Sequence, residues 1–136
     1  MTYEQLHNAI RTRFQTEVAD ALPLVTVYDN DPSSPPTDET SWCRFTVLDG
    51  QSRRTVNGVG EYRLTGAAVA QLFGPVARGD GSLQQTVDAI IAAFRGQAVD
   101  GIRYGDAYEQ RVGQTPAGDT YQINVVCPFQ ADHQEP

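Results

Sequence analysis

The stretch Gly74-Pro-Val-Ala-Arg-Gly79-Asp-Gly-Ser82 is the nearest approach in this sequence to a site that could do chemistry. It follows a strand-like segment, precedes a helix-like one, and has the G-x-x-x-x-G spacing of a phosphate-cradling loop. Such a loop needs a lysine directly after its second glycine. Asp80 stands there instead, and its carboxylate repels the anion the loop would hold. Pro75 removes a further amide donor. A strand-to-helix turn is the expected role. Arg78-Gly79-Asp80 also spells an adhesion tripeptide, read here as a polar turn because no secretion signal precedes it.

Other chemistries find no better footing. Nucleophilic catalysis needs a Ser or Cys on a sharp turn with an oriented base, and there is no G-x-S-x-G elbow. His7 lies in a helix-like segment and His133 close to the C-terminus, so both are expected to be solvated rather than to act as bases. Asp29, Asp31, Asp38 and Glu39 cluster in one long segment but lack the regular spacing of a calcium loop. Cys43 and Cys127 stand far apart in apolar, strand-like contexts and are expected to be reduced core thiols. His7 and His133 do not supplement them at the spacing a zinc site uses. No metal and no cofactor is expected.

All ten basic residues are arginine. The lack of lysine excludes Schiff-base chemistry and the phosphate-binding lysine of nucleotide loops. Net charge is −7 without a basic block, so nucleic-acid binding through counterion release is not expected. No apolar run approaches the roughly 20 residues of a membrane span, and the N-terminus lacks a signal peptide's pattern. A chain of 136 residues is one domain's worth. The division expected is a single domain over residues 1–130 and a disordered tail over 131–136.

The elements come next. Thr2 and Gln5 form a capping box, and Tyr3, Leu6, Ile10, Phe14 and Val18 recur at helical spacing, predicting a helix over residues 3–21 stopped by Pro23. Residues 24–28 read as a strand. The proline-rich segment 29–41 reads as an exposed loop. Residues 42–49 alternate, with Cys43, Phe45 and Val47 on one face and Trp42, Arg44 and Thr46 on the other. Asp49-Gly50 and Asn57-Gly58 are turn dipeptides, predicting a separate strand over 51–56. Residues 62–73 form a long strand in which Gly66 marks a bulge. Ser82 with Gln85 caps a second helix ending at Phe94, before Arg95-Gly96. Two strands, about 102–112 and 120–128, complete the chain, and 132–136 is expected to fray. This order is not βαβ alternation. It predicts an α+β fold, a mostly antiparallel sheet with both helices packed on one face.

Without a catalytic constellation, contact residues are the remaining candidates. Trp42 follows the long loop and is the only tryptophan. It suits either a partly buried anchor or a subunit contact, since Trp and Arg concentrate interface energy. Arg53 and Arg54, Asp29 and Asn30, and Arg78 and Asp80 are the other candidates for an interface contact.

Tyr28-Asp29-Asn30 with its proline loop, Trp42 opening the next strand, and Tyr62-Arg63 with Gly66 follow one another in a particular order. Phe73-Gly74-Pro75, the helix 82–94, Tyr121-Gln122-Ile123-Asn124-Val125 and Pro128-Phe129 continue it. Over nearly the whole chain this order resembles the tail-terminator-like family of long-tailed bacteriophages. The resemblance implies a non-enzymatic subunit that forms a hexameric ring on the head-proximal end of the tail tube. That ring stops tube polymerisation and presents the surface that docks to the head. Implied partners are further copies of the chain, the tail tube protein and head–tail connector proteins, with DNA passing through without specific binding and no membrane. The implied location is the virion, after assembly in the host cytoplasm. Two alternatives stand beside it: another head–tail connector or tail completion protein, and a small ligand-binding or hydrolytic α+β domain.

Overall fold

In the first helix, α1 (Tyr3–Phe14), the capping box closes as expected. The Gln5 amide donates to Thr2 Oγ1 at 3.1 Å, and Gln5 Oε1 accepts from the Thr2 amide at 2.9 Å. Leu6, Ile10 and Phe14 are buried. Their spacing of four exceeds the 3.6 residues of a helical turn, so the apolar stripe drifts around the axis. The drift is taken up by a π-helical segment, Gln15–Ala19, which keeps Val18 and Ala19 inside. The computed structural model describes residues 2–22, 24–29, 41–54, 61–75, 81–114 and 120–134. The predicted stop at Pro23 and most of the long loop lie outside them.

Among the described residues seven strands form one sheet: β1 (Val25–Tyr28), β2 (Trp42–Arg54), β3 (Glu61–Pro75), β4 (Ala98–Val99), β5 (Ile102–Tyr104), β6 (Tyr108–Gln114) and β7 (Thr120–Gln134). The second helix, α2 (Gly81–Phe94), lies between β3 and β4 in the chain. The order across the sheet is β1-β2-β3-β7-β5-β4, with β6 also on β7. β1 runs parallel to β2 and the other described pairs are antiparallel. The fold is α+β with a mostly antiparallel sheet.

Several boundaries differ from the sequence reading. Asp49-Gly50 is not a turn, and residues 51–54 of the predicted strand are the continuation of β2; residues 55–58, with the predicted Asn57-Gly58 turn, lie outside the described residues. Two β2 residues, Gly50 and Gln51, stand opposite Thr65 alone in a bulge. Thr65 Oγ1 bonds both the amide and the carbonyl of Gln51, at 3.3 Å each. Gly66 faces the bulge rather than forming it. The predicted strand 102–112 is divided into β5 and β6, which pair with successive parts of β7. Pro128 sits opposite the gap. Its carbonyl accepts from Gly105 at 2.9 Å, and having no amide hydrogen it cannot return the bond. The β4–β5 hairpin was not expected, although Asp100-Gly101 supplies the paired positive φ values, 56° and 76°, that its turn requires. Ser82 falls inside α2. β7 runs on through Asp132 and His133 to Gln134 against β3, so the frayed tail does not begin at 132. Gly96, at φ 68°, ends α2 as expected.

The core centres on three rings. Phe14 stacks on Phe45 at 4.2 Å, Phe94 lies 6.5 Å from both, and Tyr104 meets Phe94 edge-on at 5.0 Å. Arg13 ties α1 to α2, donating through Nε and Nη2 to the Ala93 carbonyl at 2.9 and 2.6 Å. Cys43 and Cys127 are free and buried, as expected. Burial pushes the Cys127 thiol up to about 12 and raises Cys43 further. Burial also lifts the Tyr28 and Tyr104 hydroxyls to about 12. A raised folded value means the stabilising contribution is complete below the unfolded value, about 8.5 for Cys and about 10 for Tyr, and is lost as pH climbs towards the folded one. The denaturant midpoint is therefore expected to hold below about pH 8.5 and fall steadily from there to about pH 12. Denaturant titrations across that range check it, and a flat midpoint would contradict it.

Candidate interaction face

Along β2, β3 and β7 the buried positions alternate with a second set pointing away from the core. Strand register gathers this second set into cross-strand rows. Val25, Trp42, Phe73 and Gln122 make the first row; Val27, Arg44, Gln71, Asn124 and Gln110 make the next. Thr46, Val69, Val126 and Tyr108 follow, then Leu48, Ala67 and Pro128. Thr65, Gln130 and Arg103 lie beyond, with Arg63 and Asp132 at the end.

The solvated face of an antiparallel sheet is ordinarily polar. Here Leu48 is 53% exposed, Tyr108 50% and Val25 45%, while Val69 and Val126 are half-buried. The Trp42 ring stacks on Phe73 at 4.5 Å and 18°, and the Arg44 guanidinium lies 5.7 Å from the Trp42 ring centre. That contact holds a cation against a rigid aromatic platform.

The charges on this face run against the acidic balance of the chain. Asp132 Oδ1 accepts from Arg63 Nε at 3.0 Å, and this bond raises the Arg63 guanidinium above its ordinary value. Asp29 Oδ1 accepts from Thr46 Oγ1 at 3.1 Å. Arg44 and Arg103 are exposed and have no carboxylate partner among the described residues. The face can therefore offer aromatic surface and two uncommitted guanidiniums, a combination suited to binding another macromolecule.

Chemistry elsewhere is sparse. His7 was expected to be solvated and unoriented, yet its Nε2 lies 2.8 Å from Asp49 Oδ1, tying α1 to β2. The helix brings the ring to the middle of β2, beside the bulge, a juxtaposition invisible in a one-dimensional reading. The pair has the form of a base with its orienting carboxylate, but no Ser, Thr or Cys is bonded to it among the described residues. Nor do three His, Cys, Asp or Glu side chains gather there to hold a metal ion. No described helix is long and apolar enough to cross a membrane.

Of the predicted contact residues, the structure brings Trp42 and Asp29 to this one face. Arg53 and Arg54 pair through their backbones with Arg63 and Tyr62 at the far end of β2; their side chains lie outside the description. Asn30, Arg78 and Asp80 also lie outside the described residues. The sequence reading missed Val69, Val126, Tyr108 and Arg103 as members of the face. β3 reads A-A-V-A-Q-L-F, small or apolar on both sides, so alternation alone could not separate its faces.

No family model matches the sequence, and no curated protein does. A solved structure without a descriptive name is similar over 100% of this chain and 99% of its own, with a TM-score of 0.66 and 18% identity. At that identity the likeness extends to the fold alone.

Proposed function

We propose that the protein is a tail terminator, a virion subunit that assembles as a hexameric ring and caps the tail tube at its head-proximal end. The ring halts tube polymerisation and offers the surface to which the head docks. Its role is mechanical, through complementary surfaces, and no reaction is assigned to it. One observation carries the proposal: the aromatic and apolar rows on the sheet face away from the core, bordered by the uncommitted Arg44 and Arg103. Exposed aromatic and apolar rows of this kind, interleaved with the polar row of Arg44, Gln71 and Asn124, suit a contact surface. The family resemblance over nearly the whole chain supports the same reading.

Both helices are inferred to cover the opposite face, because Phe14 and Phe94 share the ring cluster with Phe45 and Arg13 bridges α1 to α2. Trp42 with Phe73 then anchors contact to a neighbouring subunit or the tube. Trp42→Ala is expected to weaken association by about 2 kcal/mol or more, the size of an interface hot spot. Thermal melting should move far less, since Trp42 is only half-buried. Sedimentation velocity with and without polymerised tube protein reads this directly. Assembly equal to that of the unaltered chain would remove Trp42 from the interface.

A further inference from the structure

Beside Arg103, where β3, β5 and β7 meet, lies an open cavity of about 450 Å³ lined by Thr65, Arg103, Gly105, Pro128, Phe129 and Gln130. Gly105 and Pro128 leave it unfilled because neither projects a long side chain where the ladder is interrupted. A volume of this size accepts a large side chain together with parts of its neighbours. Its walls are mainly apolar, and Leu48, itself exposed, stands in the same row as Pro128. Arg103 adds a guanidinium without a carboxylate partner among the described residues.

At the other side of the sheet the chain leaves the π-helical segment and enters the edge strand β1. Leu22 is 42% exposed there and follows the exposed Glu17 and Asp20. The turn is pinned by backbone bonds from Asp20 to the Gln15 carbonyl at 2.8 Å, Leu22 to Val18 at 3.0 Å and Leu24 to Ala19 at 2.9 Å. Gln15 Nε2 also donates to Asp20 Oδ1 at 2.6 Å. An apolar knob beside two carboxylates is thus held in place before any contact, and a preorganised segment loses little freedom on docking.

We infer that Leu22 of one copy seats in the Arg103 cavity of the next, with Glu17 and Asp20 facing the guanidinium. This rests on the self-assembly reading above and names its surfaces. Apolar knob meets apolar cavity, and carboxylates meet the one cation the cavity holds. Copies of a chain with net charge −7 repel one another at long range, so a stable contact has to supply an opposite charge locally. The two patches are different, one beside the edge strand β1 and the other over β3, β7 and β5. The contact is therefore heterologous and head-to-tail, the kind that closes into rings.

The test uses two single variants of the full chain, Arg103→Glu and Leu22→Asp, each at an exposed position. Each is expected to weaken self-association by roughly tenfold or more in native mass spectrometry, run on tube protein if the unaltered chain needs it. Circular dichroism and melting should stay unchanged. Mixed in equal amounts, the intact knob of Arg103→Glu meets the intact cavity of Leu22→Asp, so discrete heterodimers form where neither variant assembles alone. Asp20→Arg added to Arg103→Glu should restore part of the loss. Heterodimers with a ring of some number other than six would uphold the contact while ending the hexameric terminator reading. Variants that assemble like the unaltered chain would overturn the contact. So would a mixture that stays monomeric, or an unaltered chain that is monomeric both alone and on tube.

Discussion

Phe45→Ala is expected to destabilise the protein by about 3–5 kcal/mol, a large part of the roughly 5–15 kcal/mol that holds a domain folded. Phe45 is 1% exposed. Its ring stacks on Phe14, lies 6.5 Å from Phe94 and meets Tyr28 edge-on at 6.0 Å. Removing it empties the point where β2 touches α1 and α2 together, and three rings in different elements cannot all relax into the space. The melting temperature should drop by roughly 10–20 °C. Phe45→Leu keeps most of the volume and should cost about 1–1.5 kcal/mol. Denaturant unfolding of both variants checks the pair, and equal losses would mean that the stacking geometry, not the volume, governs this site.

Gly66→Ala is expected to be nearly as damaging, although it adds a single methyl group. A Cβ at Gly66 would sit 2.3 Å from the Leu48 carbonyl oxygen and 2.8 Å from Phe129 Cζ. The nearer of the two cannot withdraw, because the Leu48 carbonyl belongs to the backbone of β2 beside its bulge. Overpacking of this kind costs about 1–3 kcal/mol and sometimes more. The bulge itself should open, shifting Leu48 and Ala67 on the interaction face, so assembly should fail along with stability. Gly105→Ala is the control. Its Cβ would meet nothing closer than Pro128 Cβ at 3.7 Å, and it should change stability by about 0.5 kcal/mol or less, as surface substitutions do.

The contrast between these glycines shows where the sequence was legible. Gly66 stood out as a break in a long strand, but only the partner strand reveals that the bulge is on β2 and that the glycine is needed opposite it. Both helices were legible because capping and apolar spacing are local: Thr2 with Gln5, and Leu83, Val87, Ile90 and Phe94 before Gly96. The π-helical segment followed from the same stripe read too loosely, since steps of four residues do not fit a straight α-helix. Strand pairing was not legible. The split between β5 and β6 depends on Pro128, more than a dozen residues away, withholding one amide from the ladder.

The interaction face was legible only at its edge. Trp42 was singled out by type, and Asp29 by its place after β1, but Phe73, Val69, Val126 and Tyr108 join them through register alone. Arg103 carried no local signal. It becomes distinctive once the structure shows two other exposed arginines matched, Arg63 with Asp132 and Arg111 with Glu109, and leaves Arg103, like Arg44, without a carboxylate among the described residues. His7 finding Asp49 is the same lesson in the polar residues: tertiary packing supplies the partner.

Native mass spectrometry of the purified protein, first alone and then with its polymerised tube protein, is the most direct test of the proposed ring. A terminator gives a species near six times 14.9 kDa in one condition or both, and tubes incubated with it stop growing. A chain that stays monomeric or dimeric in both conditions, while the tubes lengthen unchanged, contradicts the proposal.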